Sequence, residues 1–107
     1  MVVDRNKGMD MENLEEIKKI LKEHKGTLRE RFHVDNIAIF GSYARKEASR
    51  ESDIDILVEF SKPVGFVTFI RLENYLTELI GKKVDLVTKK ALKPNIGKII
   101  LQELVHV

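Results

Sequence analysis

Residues 53–60 alternate between two kinds of side chain, and this alternation constrains the fold more than any other feature of the chain. Ile54 and Ile56 fall on one side of an extended segment, and Asp53 and Asp55 fall on the other. An alternation with a period of two residues is typical of a β-strand with one buried face. The sequence therefore predicts a strand that packs its isoleucines on a core and presents two acids, roughly 6–7 Å apart, on its other face.

The remaining periodic segments predict helices that cover a small number of strands. In chain order the pattern predicts a helix from residue 9 that weakens at Gly26 or runs on to Arg31, a buried strand over 36–40, a helical turn over 42–48, the strand over 53–60, a helix over 67–80, a strand over 83–87 and a last helix from Pro94 that includes Glu103 and Leu104. This order favours a two-layer α/β or α+β domain. Residues 9–107 are predicted to form one domain, and residues 1–8 a disordered N-terminus.

Composition narrows the class of protein. The 107 residues contain no cysteine, which rules out disulfides and thiolate metal sites. The chain has no apolar run long enough to span a membrane and no apolar core of a signal peptide, so we expect a cytoplasmic protein without a membrane partner. The 19 basic and 17 acidic residues are too balanced to indicate direct contact with nucleic acid.

Asp53 and Asp55 are the strongest candidates for chemistry. Two like charges this close repel each other, so they require a cation or a proton. Mg²⁺ prefers oxygen ligands and commonly combines one or two carboxylates with substrate phosphates. Taken alone, the pair is also compatible with an ordinary half-exposed strand whose polar residues face solvent.

Three further residues add to this interpretation. Gly41 and Ser42 end a predicted buried strand and begin a helical turn, where backbone N–H groups attract phosphate and glycine permits close approach. Taken alone, a Gly-Ser pair at a strand end is also an ordinary turn. Asp85 lies in an otherwise apolar strand; it sits at a solvated edge, pairs with a lysine, or joins Asp53 and Asp55 if the two strands are neighbours.

The ordered motifs over residues 36–105 resemble the DNA polymerase beta-like nucleotidyltransferase superfamily and, within it, the minimal nucleotidyltransferases. The resemblance rests on FGSYAR at 40–45, SDIDILV at 52–58 with ten residues between Ser42 and Asp53, and KVDLV at 83–87. It implies a small nucleotidyltransferase fold of the α+β class, with a short mixed sheet of three to four strands covered by helices.

The resemblance also implies roles for the motif residues. Asp53 and Asp55 would bind two Mg²⁺ ions, and Asp85 would be a third carboxylate that binds one metal and helps to deprotonate the acceptor. Gly41 and Ser42 would hold the triphosphate of an incoming nucleotide.

Two neighbouring residues keep two interpretations each. Arg45 either pairs with phosphate or forms a structural salt bridge. Tyr43 either lines the pocket or packs in the core.

Members of this minimal group are commonly antitoxins of HEPN-domain ribonuclease toxins. The resemblance thus implies transfer of AMP from ATP to a tyrosine hydroxyl of such a toxin, with the enzyme as a homodimer or in a hetero-oligomer with the toxin. Three alternatives stay open: transfer to a small molecule such as an aminoglycoside, a module that neutralises a toxin by contact alone, and a nucleic-acid polymerase, which the missing primer-binding domain disfavours.

Overall fold

The computed structural model of the chain describes residues 14–49, 51–92 and 94–107. The predicted disordered segment 1–8 and the predicted helix start at Met9 lie outside these residues, and the single domain over 9–107 stays a prediction. The structure contains five α-helices in this part of the chain: α1 (Leu14–Glu23), α2 (Lys25–Phe32), α3 (Gly41–Ala44), α4 (Phe66–Ile80) and α5 (Pro94–Gln102). A 3₁₀ turn covers Lys89–Ala91.

Four strands form one sheet in the described residues: β1 (Val34–Phe40), β2 (Ile54–Phe60), β3 (Val84–Thr88) and β4 (Val105–His106). Their order across the sheet is β3-β2-β1-β4. β1 runs antiparallel to β2 and β4, whereas β2 and β3 are parallel. A parallel pair requires a crossover connection, and α4 supplies it. The predicted α+β fold with a short mixed sheet of three to four strands is confirmed.

One face of the sheet carries the hydrophobic core. Its strand residues alternate in sequence, as the period of two requires, and pack against α1, α2 and α4. The fully buried members include Ile39, Ile54, Ile56, Leu72 and Leu76. Each such side chain contributes about 1.5–3 kcal/mol through burial. The apolar face of β2 is therefore anchored, which fixes the direction of the acids on its opposite face.

The opposite face is only partly apolar. Ala38, Phe40 and Leu57 are buried on it without joining the main core cluster. Leu101 and Leu104, at and beyond the end of α5, line a cleft together with Ala38 and Leu57. Asp55 shares this second face, because Asp55 and Leu57 are two residues apart on the strand.

The structure corrects the predicted boundaries in three regions. The helical turn predicted over 42–48 is the short helix Gly41–Ala44. The first helical segment breaks at His24 and not at Gly26, and its second part ends at Phe32, where His33 adopts a left-handed conformation with φ 60°. Glu103 and Leu104 were predicted on the last helix, but α5 ends at Gln102. The chain then enters β4, which was not predicted because its two residues are ordered by pairing with distant β1.

Among the described residues, none of the helices combines the length and the apolar character that crossing a bilayer requires. The cytoplasmic location stays a prediction.

Candidate active site

Gly41 sits where β1 ends and α3 begins, and two constraints make glycine necessary there. Its φ of +75° lies in the left-handed region that side chains disfavour. The register of the sheet places Phe40 opposite Asp55, so Gly41 lies against the Asp55 side chain. A Cβ atom at position 41 would collide with the Asp55 carboxylate. The missing side chain therefore makes room for the candidate metal ligand.

The parallel pairing of β2 and β3 brings two acids side by side. Asp55 is the direct register partner of Asp85, so both carboxylates lie at the same end of neighbouring strands. Asp55 is half-buried and Asp85 is exposed. The sequence left open whether Asp85 would stand alone; the structure places it next to Asp55.

Asp53 lies immediately before β2 and completes the group of acids. Its Oδ2 atom is 3.9 Å from Nζ of Lys83, and its side chain is 47% exposed. The chain is held there by the Ile54 N–H, which donates to the carbonyl of Lys83 at 3.0 Å. Asp53 therefore keeps a carboxylate oxygen available to solvent or to a ligand at the same end of the sheet.

The electrostatics of the site centre on Asp55. Burial first, and then the nearby charges of Asp85 and Asp53, together raise the pKa of Asp55 from 3.8 to about 6. Arg45 acts against this shift, and Glu103 adds to it. The site therefore concentrates more negative charge than its surroundings neutralise, as expected of a cation-binding position.

These acids fit a shared magnesium site better than a closed protein cage. Within the described residues, no three histidine or acidic side chains converge into a preformed metal cluster. Mg²⁺ is usually held by one or two carboxylates together with substrate phosphates, so an open set of oxygens is the suitable donor arrangement. Asp53, Asp55 and Asp85 supply such oxygens, and a bound cation would offset the burial and the like charges that raise the pKa of Asp55.

Arg45 forms ion pairs with two glutamates. Its Nε atom donates to Oε1 of Glu47 at 3.1 Å, and its Nη1 atom donates to Oε1 and Oε2 of Glu103 at 3.1 and 3.2 Å. Of the two predicted roles the structure contains the salt bridge, while pairing with phosphate stays a prediction. Glu103 was not predicted as a site residue, because the helical pattern after Pro94 assigned it to the last helix. The residues around it in the sequence give no indication of a contact with residues 41 and 45.

Tyr43 and Ser42 occupy the short helix α3. The Tyr43 side chain is only 2% exposed and belongs to the core cluster, so it packs, as one of its two predicted roles requires. Its hydroxyl has no hydrogen-bond partner among the described residues. Ser42 is half-buried beside Gly41, at the start of α3, where the sequence predicted a phosphate contact.

A cleft of about 230 Å³ opens further along the same sheet face. Its apolar floor and wall come from Ala38, Leu57, Leu101 and Leu104, and it includes none of the six predicted site residues. The acidic end of the sheet is therefore an open surface and not the interior of this cleft.

Comparison with known proteins identifies the family to which this geometry belongs. The profile of the nucleotidyltransferase domain matches residues 14–107. The chain belongs to the nucleotidyltransferase domain family. The matched range contains β1, the Gly41-Ser42 turn and all three acids, so every element of the site described above lies inside the family domain.

Individual relatives show to which group within the nucleotidyltransferase family the chain is similar in sequence and fold. This nucleotidyltransferase is 52% identical over 99 residues to protein adenylyltransferase MntA of Thermococcus cleftensis, covering 92% of this chain and 100% of the relative. It resembles a solved structure of a candidate minimal nucleotidyltransferase with a TM-score of 0.75 and 32% identity, covering 89% of this chain and 96% of the other. The predicted membership of the minimal, MntA-type nucleotidyltransferases is confirmed, and so is the prediction of an enzyme of the protein adenylyltransferase type.

A more distant solved structure shares the fold. It contains a tri-AMPylated Shewanella oneidensis HEPN toxin in complex with its MNT antitoxin. The TM-score is 0.56 at 21% identity, with 88% of this chain and 67% of the other covered.

Proposed function

We propose that this nucleotidyltransferase uses Mg²⁺ to transfer AMP from ATP to a tyrosine hydroxyl of a HEPN-type toxin, and that it thereby acts as the antitoxin. The observation that carries the proposal is the position of Asp55, between the Asp85 carboxylate on β3 and the Gly41 turn at the end of β1. Acidic oxygens and phosphate-binding backbone then lie on one surface, as transfer between a triphosphate and a hydroxyl requires.

The triphosphate is assigned to the turn between β1 and α3. Backbone N–H groups at Gly41 and Ser42, together with the Arg45 guanidinium, donate hydrogen bonds and positive charge to phosphate oxygens. This binding orients the nucleotide so that its α-phosphorus lies over the acids of β2. Positioning of this kind supplies much of the rate of phosphoryl and nucleotidyl transfer.

Asp53, Asp55 and Asp85 hold the metal ions in this proposal. When bound, Mg²⁺ neutralises phosphate charge and stabilises the pyrophosphate that leaves. Asp85 is exposed at the side of the sheet away from Gly41, which suits a group that faces the acceptor. The acceptor oxygen forms its bond to the α-phosphorus, the bond to pyrophosphate breaks, and the Asp85 carboxylate takes the acceptor proton.

The relatives support AMP transfer to a protein acceptor. The T. cleftensis relative, aligned over its whole length, is named a protein adenylyltransferase. The distant complex holds an AMPylated HEPN toxin beside an antitoxin of the same fold. A protein acceptor brings its own folded surface to the open acidic face, so residues 14–107 need no further element to position it.

Intact-mass spectrometry of a HEPN-type toxin incubated with the enzyme, ATP and Mg²⁺ tests the proposal. We expect mass increments of AMP on the toxin that peptide mapping assigns to tyrosine. The Asp53→Ala, Asp55→Ala double variant should lose transfer by several orders of magnitude, because the metal loses two of its ligands. Asp35→Ala, which removes an exposed acid from the other end of β1, is the matched control and should retain transfer.

Each result has a defined meaning. Full transfer by a folded double variant would overturn the assignment of the acids. An unmodified toxin that co-elutes with the enzyme and is inactive would indicate neutralisation by contact. AMP found on an added aminoglycoside, but not on the toxin, would indicate a small-molecule acceptor.

A further inference from the structure

The carboxylate of Glu103 accepts hydrogen bonds from two donors at the short helix α3, the Gly41 N–H at its start and the Arg45 guanidinium just after its end. Its Oε1 atom accepts a hydrogen bond from the Gly41 N–H at 3.2 Å and another from Nη1 of Arg45 at 3.1 Å. Its second oxygen, Oε2, lies 3.2 Å from the same Nη1 atom. The Glu103 side chain is 21% exposed and the Arg45 side chain 45%, so the carboxylate is partly shielded while the guanidinium faces solvent.

The same two donors are the ones that the proposed function assigns to the triphosphate. A carboxylate oxygen and a phosphate oxygen are both anionic acceptors that bind backbone N–H and guanidinium groups at similar distances. They cannot occupy the same position, and two anions beside one arginine repel each other. Glu103 and the triphosphate therefore compete for one site.

We propose that Glu103 acts as a stand-in anion for the nucleotide: it holds the phosphate-binding turn in place when no nucleotide is bound, and it must swing away before the triphosphate can bind. The proposal rests on the proposed function, because it takes Gly41 and Arg45 as the phosphate donors. It makes Glu103 a positioning residue that sets nucleotide affinity through two other residues.

The place of Glu103 in the chain suits such a movement. It lies after the end of α5 at Gln102 and before β4, which begins at Val105. A side chain in this short connection can change its rotamer without breaking a helical or sheet hydrogen bond. Because only the fraction of molecules with Glu103 displaced can accept the nucleotide, the measured affinity is reduced in proportion to that fraction.

Substitution by glutamine separates this role from a purely structural one. Glu103→Gln keeps the shape of the side chain but removes the charge that pairs with Arg45. The contact of residue 103 with Gly41 and Arg45 is therefore weaker, and the nucleotide displaces it more easily. We expect it to bind Mg²⁺ with a non-hydrolysable ATP analogue about 3–10-fold more tightly than the natural enzyme, measured by calorimetry. Inorganic triphosphate with Mg²⁺ should show the same gain, because the competition concerns phosphate alone. Without ligand, the variant should melt at a lower temperature, since the turn loses its internal anion.

Glu47→Gln is the matched control. Glu47 also pairs with Arg45, through Nε at 3.1 Å, so the variant removes an equal charge from the same guanidinium. Among the described contacts, however, Glu47 has none with the Gly41 N–H. We expect Glu47→Gln to change nucleotide affinity less than about twofold, at the scale of an exposed ion pair. Glu103→Ala, which removes the acceptor entirely, should tighten binding at least as much as Glu103→Gln.

The possible results distinguish a failure of this inference from a failure of the proposed function. Weaker or unchanged nucleotide binding by both Glu103 variants, with normal binding by the natural enzyme, would overturn this inference and leave the proposed function standing. An equal gain in Glu47→Gln would also overturn it, because the effect would then be one of net charge. If neither the natural enzyme nor any variant binds nucleotide or triphosphate, the proposed function fails and this inference fails with it.

Discussion

At the scale of one residue, the charged carboxylate of Asp55 lowers the stability of the free enzyme. Its β-strand position is fixed by fully buried Ile54 and Ile56 on either side of it, so the carboxylate cannot turn away from Asp85. Burial and the neighbouring acids hold its pKa at about 6. The free enzyme therefore tolerates an unfavourable charge that a bound cation would relieve.

The Asp55→Asn variant should be more stable than the natural enzyme at high pH in the absence of metal. The Asp55 carboxyl has a pKa of about 6 when folded, above the value of about 3.9 in an unfolded chain. Between these values the folded state keeps a proton that the unfolded state has lost, so stability falls as pH rises from about 4 to about 6 and this penalty is complete above that range. Asparagine carries no charge and removes this penalty. After allowance for partial exposure, we expect the variant to gain about 1–2 kcal/mol in free energy of unfolding.

Urea unfolding in the presence of a chelator at pH 8 and pH 4 checks this expectation. The free energy of unfolding of Asp55→Asn should exceed that of the natural enzyme at pH 8 and equal it at pH 4. Asp35→Asn, in an exposed position on β1, should change stability by less than about 0.5 kcal/mol at either pH. Equal stability of Asp55→Asn and the natural enzyme at pH 8 would contradict the argument.

At the scale of elements, α4 positions the third acid. β3 is an edge strand, and its outward N–H groups would lack partners without the helix. The Val84 N–H donates to Oγ1 of Thr77 at 3.1 Å, and the Leu86 N–H donates to Oε2 of Glu73 at 3.0 Å. The two residues that flank Asp85 are thus tied to α4, which fixes the height of Asp85 beside Asp55.

Glu73→Ala should reduce AMP transfer about 10-fold while changing nucleotide affinity little, because it loosens Asp85 and leaves the turn between β1 and α3 intact. It also leaves the Leu86 N–H without its partner, at a cost of about 1–3 kcal/mol. Steady-state kinetics should show the loss in kcat and not in KM for ATP. Glu73→Gln, which retains an acceptor oxygen, should restore most of the rate, and Glu78→Ala on the exposed side of α4 is the control. An unchanged kcat in Glu73→Ala would refute this role.

The sequence predicted those elements and site residues that depend on local periodicity. The alternation around Asp53 and Asp55 is visible in the strand itself, and the strand positions that support them follow from the same pattern. The position of Asp85 beside Asp55 was conditional, because register between strands joined by a crossover is set by packing of the whole of α4. Glu103 and β4 were missed for the same reason: both are ordered by contacts with residues in and after β1, more than half the chain away.

At the scale of the whole molecule, metal and nucleotide should stabilise the fold together and not separately. Three acids near Gly41 repel a free triphosphate, and no closed metal cluster exists among the described residues to hold Mg²⁺ alone. Each ligand therefore supplies the charge that the other needs. A ligand that binds only the native state at a hundredfold excess over its Kd adds about 2.7 kcal/mol to stability.

Thermal unfolding with Mg²⁺, with a non-hydrolysable ATP analogue, and with both measures this coupling. We expect the increase in Tm with both ligands to exceed the sum of the separate increases. The Asp53→Ala, Asp55→Ala double variant should lose most of the coupled increase. A full increase with the nucleotide alone would argue against a site shared between acids and phosphates.

The parallel pairing of Asp55 with Asp85 also has a consequence for how the chain folds. β1 and β2 are close in sequence and can pair early, whereas β3 reaches β2 only after α4 has formed and crossed the sheet. The docking of β3 is the step that brings the two like charges together, so it is both late and electrostatically opposed. The third carboxylate therefore joins the other two acids only after α4 and β3 have formed, so a chain folded no further than β2 lacks the complete acidic site.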